Sequence, residues 1–149
     1  LIELLVVIGI LGILLAIVLI AINPAAQFAQ ANNTARTNDV NTILNAVHQY
    51  AADHKGLLPG GNIAATAEIT TTNQQIGTAG ADICALISPD YVSLLPVDPD
   101  TNNGVAVSDC AAAYVTNYFI VKDASGRITV SAPGAEIVRG VTPIISVSR

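Results

Sequence analysis

An uncharged apolar run near the start of the chain constrains the fold more than any other feature. Residues 4–22 are apolar throughout, apart from Gly9 and Gly12. A helical run of about 20 such residues is long enough to span a bilayer. The hydrophobic fraction of 52% is concentrated in this run, so we expect one membrane-spanning helix and one separate globular domain.

A cleaved secretory signal is the alternative interpretation of the same run. Such a signal begins with Lys or Arg, has a shorter apolar stretch and ends in small residues at a cleavage site. Here Glu3 precedes the run, and the first basic residue is Arg36. The pattern therefore favours a retained span.

The charged and polar residues predict neither nucleic-acid binding nor catalysis. The chain has 6 Lys and Arg against 11 Asp and Glu, for a net charge of −5, and no basic cluster that could follow a phosphate backbone. It has no Walker-type phosphate loop. His48 and His54 lie six residues apart without a Cys or carboxylate at zinc spacing. We therefore predict that the chain is not an enzyme.

Good helix formers continue beyond the apolar run, so we predict one helix from Glu3 to Lys55, about 80 Å long at 1.5 Å per residue. Pro24 should bend or loosen this helix without ending it. Gly56 then supplies a glycine C′ residue. Apolar side chains recur at helical spacing on one face of the second half. They are Val40, Ile43, Leu44, Val47 and Ala51.

The rest of the chain predicts a small antiparallel sheet. Residues 62–80 are polar and read as an exposed loop, and residues 84–87 as a short helical turn. Residues 114–122 and 127–131 predict a hairpin, residues 141–148 an edge strand, and residues 136–139 a further short strand.

The predicted class is α+β, with the apolar face of the helix packed on the sheet. We divide the chain into an apolar transmembrane helix (1–24), its amphipathic continuation (25–55), a connecting loop region (56–113) and the antiparallel sheet (114–149).

Two cysteines follow the apolar run. Cys84 and Cys110 can form a disulfide if this part of the chain faces an oxidising exterior, and closing a loop of that length stabilises by about 3.5 kcal/mol in the loop-entropy model. Two buried free thiols are the alternative.

The first fourteen residues, LIELLVVIGILGIL, resemble the N-terminal signature of type IV pilins and of type II secretion pseudopilins. In that family a prepilin peptidase removes a leader, the new amine is methylated, and two further residues commonly precede the Leu-Ile-Glu. The resemblance implies the type IV pilin fold and a polymer built on the helix.

Glu3 is the residue with the most specific implied role. A carboxylate in hydrocarbon is costly unless it snorkels, protonates or meets a cation. The resemblance implies that it pairs with the N-terminal amine of a neighbouring subunit. A carboxylate that only snorkels at the boundary of the span is the alternative.

Gly9, Gly12 and Pro24 are further candidate assembly residues. The two glycines can allow close helix approach, although their spacing of three differs from the four-residue pattern and glycine is common in membrane helices anyway. The resemblance implies that the segment between Gly12 and Pro24 melts in the assembled filament.

A weak calcium candidate comprises Asp98, Asp100, Asn102 and Asp109, whose oxygen ligands alternate along the chain. The glycine at 104 is one residue late for the EF-hand pattern, and a tight Asp-Pro turn is the alternative. Major pseudopilins have a calcium site in a comparable region. Otherwise no cofactor is predicted.

The leading hypothesis is a major pilin, located first in the cytoplasmic membrane and then in an extracellular filament serving adhesion, motility or DNA uptake. Its implied partners are further copies of the chain, the prepilin peptidase, an inner-membrane assembly platform and a separate assembly ATPase. The alternatives are a type II secretion pseudopilin and a single-span membrane-anchored exoprotein that does not polymerise.

Overall fold

The computed structural model describes residues 1–60, 69 and 72–149. Helix α1 covers Ile2–Ile22 and helix α2 covers Pro24–Asp53. Strand β1 (Gln74–Gly77), the short helix α3 (Cys84–Ile87) and a 3-10 turn (Asn102–Gly104) follow. Strands β2 (Val115–Lys122), β3 (Ile128–Ala132) and β4 (Ile145–Ser148) complete the fold.

The four strands form one antiparallel sheet in the order β1-β2-β3-β4. Helix α2 packs against β3 and β4, so the chain is an α+β head preceded by an apolar helix. Side chains on β2 and β3 alternate between buried and partly buried positions, as expected for a sheet with one covered face.

The buried face of α2 agrees with the predicted helical spacing. Val40, Ile43, Leu44 and Val47 are fully buried against the sheet, whereas Ala51 is only half-buried near the end of the helix. Burial of this stripe stabilises the contact by about 1.5–3 kcal/mol for each large side chain.

The single long helix of the prediction is divided at Asn23. This residue has φ 47° and ψ 76°, in the left-handed region, and serves both as the C-cap of α1 and as the N-cap of α2. Pro24 takes the first position of α2, where its missing N–H is not needed. The prediction that the proline would only bend the helix was wrong.

The C-terminus of α2 also differs by one residue from the prediction. Lys55, with φ 56°, takes the left-handed C′ position, and the Gly56 N–H donates to the Ala51 carbonyl over 2.7 Å. This bond pattern is a Schellman motif, with the glycine one position later than predicted.

Strand β1 lies inside the region predicted as a loop. Its pairing with β2 and the complete burial of Ile76 hold a polar segment in the sheet. Residues 62–68, 70 and 71 of the predicted loop 62–80 lie outside the described residues. The hairpin of β2 and β3, the edge strand β4 and the turn α3 are confirmed.

The predicted strand over residues 136–139 does not form. Val138 pairs with Val141 instead, as an isolated bridge around a tight turn.

Candidate functional site

Helix α1 exposes its apolar side chains on every side. None of its residues is buried in the chain, and exposed fractions range from 48% at Val18 to 83% at Ile20 among its large apolar side chains. A helix that is apolar all round is stable only when something buries it. At about 1.5 Å per residue its length of about 31 Å matches the bilayer hydrocarbon. It is long and apolar enough to cross a membrane, and it can act as an anchor or as a signal sequence.

Glu3 lies in the first turn of α1 and is exposed. A carboxylate at this end of a helix interacts favourably with the positive end of the helix dipole. None of the hydrogen bonds or ion pairs found among the described residues involves its side chain. Its carboxylate is therefore available to a group outside the described chain.

Gly9 and Gly12 face open space. A Cβ built on either glycine would have no atom within 4 Å apart from its chain neighbours and the nearby backbone of its own helix. Packing inside this molecule therefore does not require glycine at these positions, and any close approach that they permit must come from another molecule.

The base of the head is held by a buried arginine. Arg36 is fully buried on α2, on the same face as Val40 and Val47. All five of its guanidinium N–H groups donate hydrogen bonds. The acceptors are Asp98 Oδ2 (2.8 Å), Asp98 Oδ1 (3.0 Å), Asp100 Oδ2 (2.6 Å), Glu136 Oε1 (3.0 Å) and Asn33 Oδ1 (3.1 Å).

The carboxylates around Arg36 come from two separate parts of the chain. Asp98 is itself fully buried, and its Oδ1 also accepts the Asp100 N–H. The hydrogen bonds with Asp98 are the main reason that the pKa of Arg36 is raised above its ordinary value. Asp98 is also approached closely by Gly134, where a Cβ would lie 2.8 Å from Oδ2.

The third carboxylate is held in place through a neighbouring asparagine. Asn33 donates to the Glu136 carbonyl and accepts from the Glu136 N–H, each over 2.8 Å. Asn32 and then Arg36 stabilise the ionised side chain, which lowers the pKa of Glu136. The Arg36 cluster, comprising Arg36, Asp98, Asp100, Glu136 and Asn33, therefore joins α2 to both loops at the base of the sheet.

The Arg36 cluster replaces the proposed calcium site. Asp98 and Asp100 turn their oxygens to the guanidinium, whereas the Asp109 Oδ1 accepts a hydrogen bond from the Ala111 N–H over 2.9 Å. Asn102 belongs to the 3-10 turn. No group of three metal-binding side chains occurs among the described residues. Of the four calcium candidates, Asp98 and Asp100 therefore pair with an internal cation, Arg36, which the sequence prediction did not anticipate.

A second buried polar contact joins α2 to the sheet. Tyr118 is fully buried on β2, and its hydroxyl donates to Asp39 Oδ2 over 2.6 Å. Burial raises the pKa of both groups, and the tyrosine hydrogen bond partly opposes that shift at Asp39. This bond fixes the register between the helix and the middle of the sheet.

The predicted disulfide is present between Cys84 and Cys110, with a Cα–Cα distance of 5.4 Å. It joins α3 to the segment before β2. Residues 98–110 are thereby tied at both ends, at Cys110 by the disulfide and at Asp98 by Arg36.

Arg36 is the residue that sequence reasoning missed. Its spacing of four from Val40 and eleven from Val47 placed it on the buried face, and a buried arginine requires carboxylates. That signal was present, but the sequence did not identify the carboxylates, which lie 62 to 100 residues away.

Comparison with protein-family models, with curated proteins and with solved structures gives no match to this chain. The pilin-like resemblance of its first fourteen residues therefore remains a prediction that rests on those residues.

Proposed function

We propose that this chain is a structural subunit of a type IV pilin-like filament, with the pilin fold. In this proposal α1 lies first in the cytoplasmic membrane and then in the core of an extracellular filament, and the heads cover the outside. The filament as a whole serves adhesion, motility or DNA uptake. One observation carries the proposal: α1 is apolar on every side and buries no residue in its own chain.

The energy available for assembly comes from that exposed surface. Full burial of a Val, Leu or Ile side chain stabilises by about 1.5–3 kcal/mol. Lipid already provides such burial, so the apolar residues alone do not favour the filament over the membrane. A polar interaction must add the preference for neighbouring copies.

Glu3 supplies that interaction in the proposal. Pairing with the methylated N-terminal amine of a neighbouring copy neutralises both charges in an apolar environment, and it fixes the axial offset between subunits. The free carboxylate at the start of α1 supports this role, since no group of the described chain competes for it.

The proposed partners follow from the same design. A prepilin peptidase prepares the amine, an inner-membrane platform receives the subunit, and a separate ATPase drives assembly. The carboxylates that would favour a type II secretion pseudopilin through a calcium site bind Arg36 instead. No described residue therefore favours that alternative specifically.

Substitution of Glu3 tests the proposal. In cells that make the chain together with an assembly system, Glu3→Ala and Glu3→Gln should each reduce sheared surface fibres at least about tenfold, because the unpaired amine stays charged in the apolar core. Membrane-bound subunit should remain at the wild-type level. Electron micrographs and immunoblots of sheared and membrane fractions provide both measurements.

Asp90→Ala is the matched control, since Asp90 is an exposed carboxylate on the head. It should form fibres as the wild type does. Normal fibres from Glu3→Ala would reject the pairing, and a wild-type chain that never forms fibres would favour the membrane-anchored exoprotein.

A further inference from the structure

The head exposes an apolar protrusion just before strand β4. We call it the tip, and define it by Ile137, Val141 and Ile144 together with Arg139. The three apolar side chains are 64%, 67% and 94% exposed. Three exposed apolar side chains on one short segment of a small head can form a contact with another molecule.

The tip is held rigidly by a two-residue turn. Val138 and Val141 exchange backbone hydrogen bonds of 2.9 and 3.1 Å. The two residues between them, Arg139 and Gly140, have φ values of 50° and 82°, as a type I′ turn requires. Arg139 therefore stands at the apex, exposed and without an ion pair to any residue that the structure describes.

A concave surface of complementary character lies beside the start of β2. We call it the hollow, a cavity of about 450 Å³. Its lining is mixed: the apolar part consists of Val97, Val105, Ala106, Val107, Ala113 and Val115, and the polar part of Thr101, Asn102, Ser108, Asp109 and Tyr114. Val105 and Val115 are 59% and 46% exposed, so the described chain leaves this part of the lining uncovered, whereas Val97 is buried. The exposed carboxylate of Asp109 lies in the same lining.

The tip and the hollow lie at opposite edges of the sheet. Val115 in the hollow pairs with Gly77 of the edge strand β1, whereas the tip leads into the other edge strand, β4. Three strand spacings separate these edges, roughly 14 Å. Both surfaces occur at the end of the sheet where β2 starts and β3 ends, and residues of the tip segment line a groove with the first half of α2.

We infer that the tip of one copy packs into the hollow of the next copy, with Arg139 beside Asp109 of that copy. The occupant is a second copy because the two surfaces match in three respects: a protrusion against a cavity, the apolar tip against the exposed Val105 and Val115 of the hollow, and a cation against an anion. The inference rests on the proposed filament function and adds to it the contact between heads.

The arrangement of these surfaces also determines the kind of polymer. The contact joins two different surfaces of the same chain, so it is heterologous and each copy keeps one tip and one hollow free for further copies. Such contacts produce open helical filaments when the rotation does not close a ring. Because both surfaces lie near the first half of α2, contacts between heads can form together with contacts between α1 helices.

Charge reversal across the contact is the experiment that tests it. Arg139→Glu and Asp109→Lys should each reduce the sedimentable fibre about tenfold, because each places like charges together. The double variant Arg139→Glu with Asp109→Lys should recover at least about half of the wild-type fibre, because the pair is restored with opposite orientation. Arg127→Glu, on the exposed turn between β2 and β3, is the matched control and should assemble normally.

Two further variants separate assembly from folding of the head. Ile144→Ser alters a side chain that is 94% exposed, and Asp109→Asn keeps an oxygen that can accept the Ala111 N–H. Both should keep the wild-type unfolding midpoint and lose fibre at least about threefold.

Two outcomes would overturn the contact: wild-type fibre from both single reversals, or a double variant no better than either single variant. In either case the loss of fibres from Glu3→Ala would still support the proposed function. A wild-type chain without fibres would overturn both proposals. If the hollow binds a different protein instead, the charge reversals would leave fibre assembly unchanged, and the contact between heads would be overturned.

Discussion

Helices α1 and α2 are consecutive in the chain, yet the more apolar of the two is the one that is exposed. The wholly apolar α1 has no buried residue, whereas the more polar α2 contributes eight buried residues to the head, among them Arg36 and Asn33. Of these two helices, only α2 follows the ordinary rule that apolar side chains are mostly inside.

The difference shows which interactions each helix lacks. Helix α2 finds its partners within the chain, in the sheet and in three carboxylates. Helix α1 buries none of its residues there, and the proposed function assigns it lipid and other copies as partners. The break at Asn23 lies between the two helices.

The largest effect is expected from a substitution that breaks the polar contacts of α2. Arg36→Met should lower the free energy of unfolding of the head by about 3–5 kcal/mol, because it leaves the buried Asp98 without a cation. Urea unfolding followed by tyrosine signals measures this, since all four tyrosines lie beyond residue 49.

Arg127→Met is the control for that change. Arg127 is 59% exposed and pairs with Asp123 on the surface, so its loss should cost below about 1 kcal/mol. Equal losses from the two arginines would contradict the role given to the Arg36 cluster.

A second prediction compares the same substitution in both helices. Ile43→Ala in α2 should cost roughly 2–5 kcal/mol, because the side chain is fully buried against the sheet. Ile13→Ala in α1, where the side chain is 64% exposed, should change the unfolding of the detergent-solubilised single chain by less than about 0.5 kcal/mol. Urea unfolding curves of the two variants measure these changes in unfolding free energy. A large effect at Ile13 would show that α1 packs on its own head.

The smallest expected effect is the pH dependence of the head. The pKa of Glu136 is lowered, so its stabilising contribution is complete above its ordinary pKa and is lost as the pH falls through the lowered value. Glu136→Gln should therefore reduce the loss of unfolding free energy at low pH, by less than about 1 kcal/mol. Unfolding midpoints measured from pH 7 down to pH 3 test this.

Asp39→Asn is the matched variant of opposite sign. Burial raises the pKa of Asp39, so its ionisation costs stability as the pH rises through the ordinary value toward the raised one. The variant should remove that cost while Tyr118 keeps an acceptor. The same pH slope in both variants would contradict the assigned directions.

Local patterns predicted much of the head. The stripe on α2 and the hairpin of β2 and β3 follow from periodicity and turn residues, which act over a few positions. Strand β1 could not be predicted in this way, because Gln74–Gly77 has a single large apolar side chain and becomes a strand through pairing with residues about 40 positions away. The Arg36 cluster could not be predicted for the same reason, since its carboxylates follow Arg36 by 62 residues or more.

The sequence by itself determined that α1 is a helix apolar on every side, with one carboxylate at its start, because length and composition are local properties. Only the tertiary structure decided that Asn23 ends this helix, and that Asp98 and Asp100 pair with Arg36. The physical reason is that a buried charge selects its partner by proximity in space, and that proximity depends on how the whole head packs.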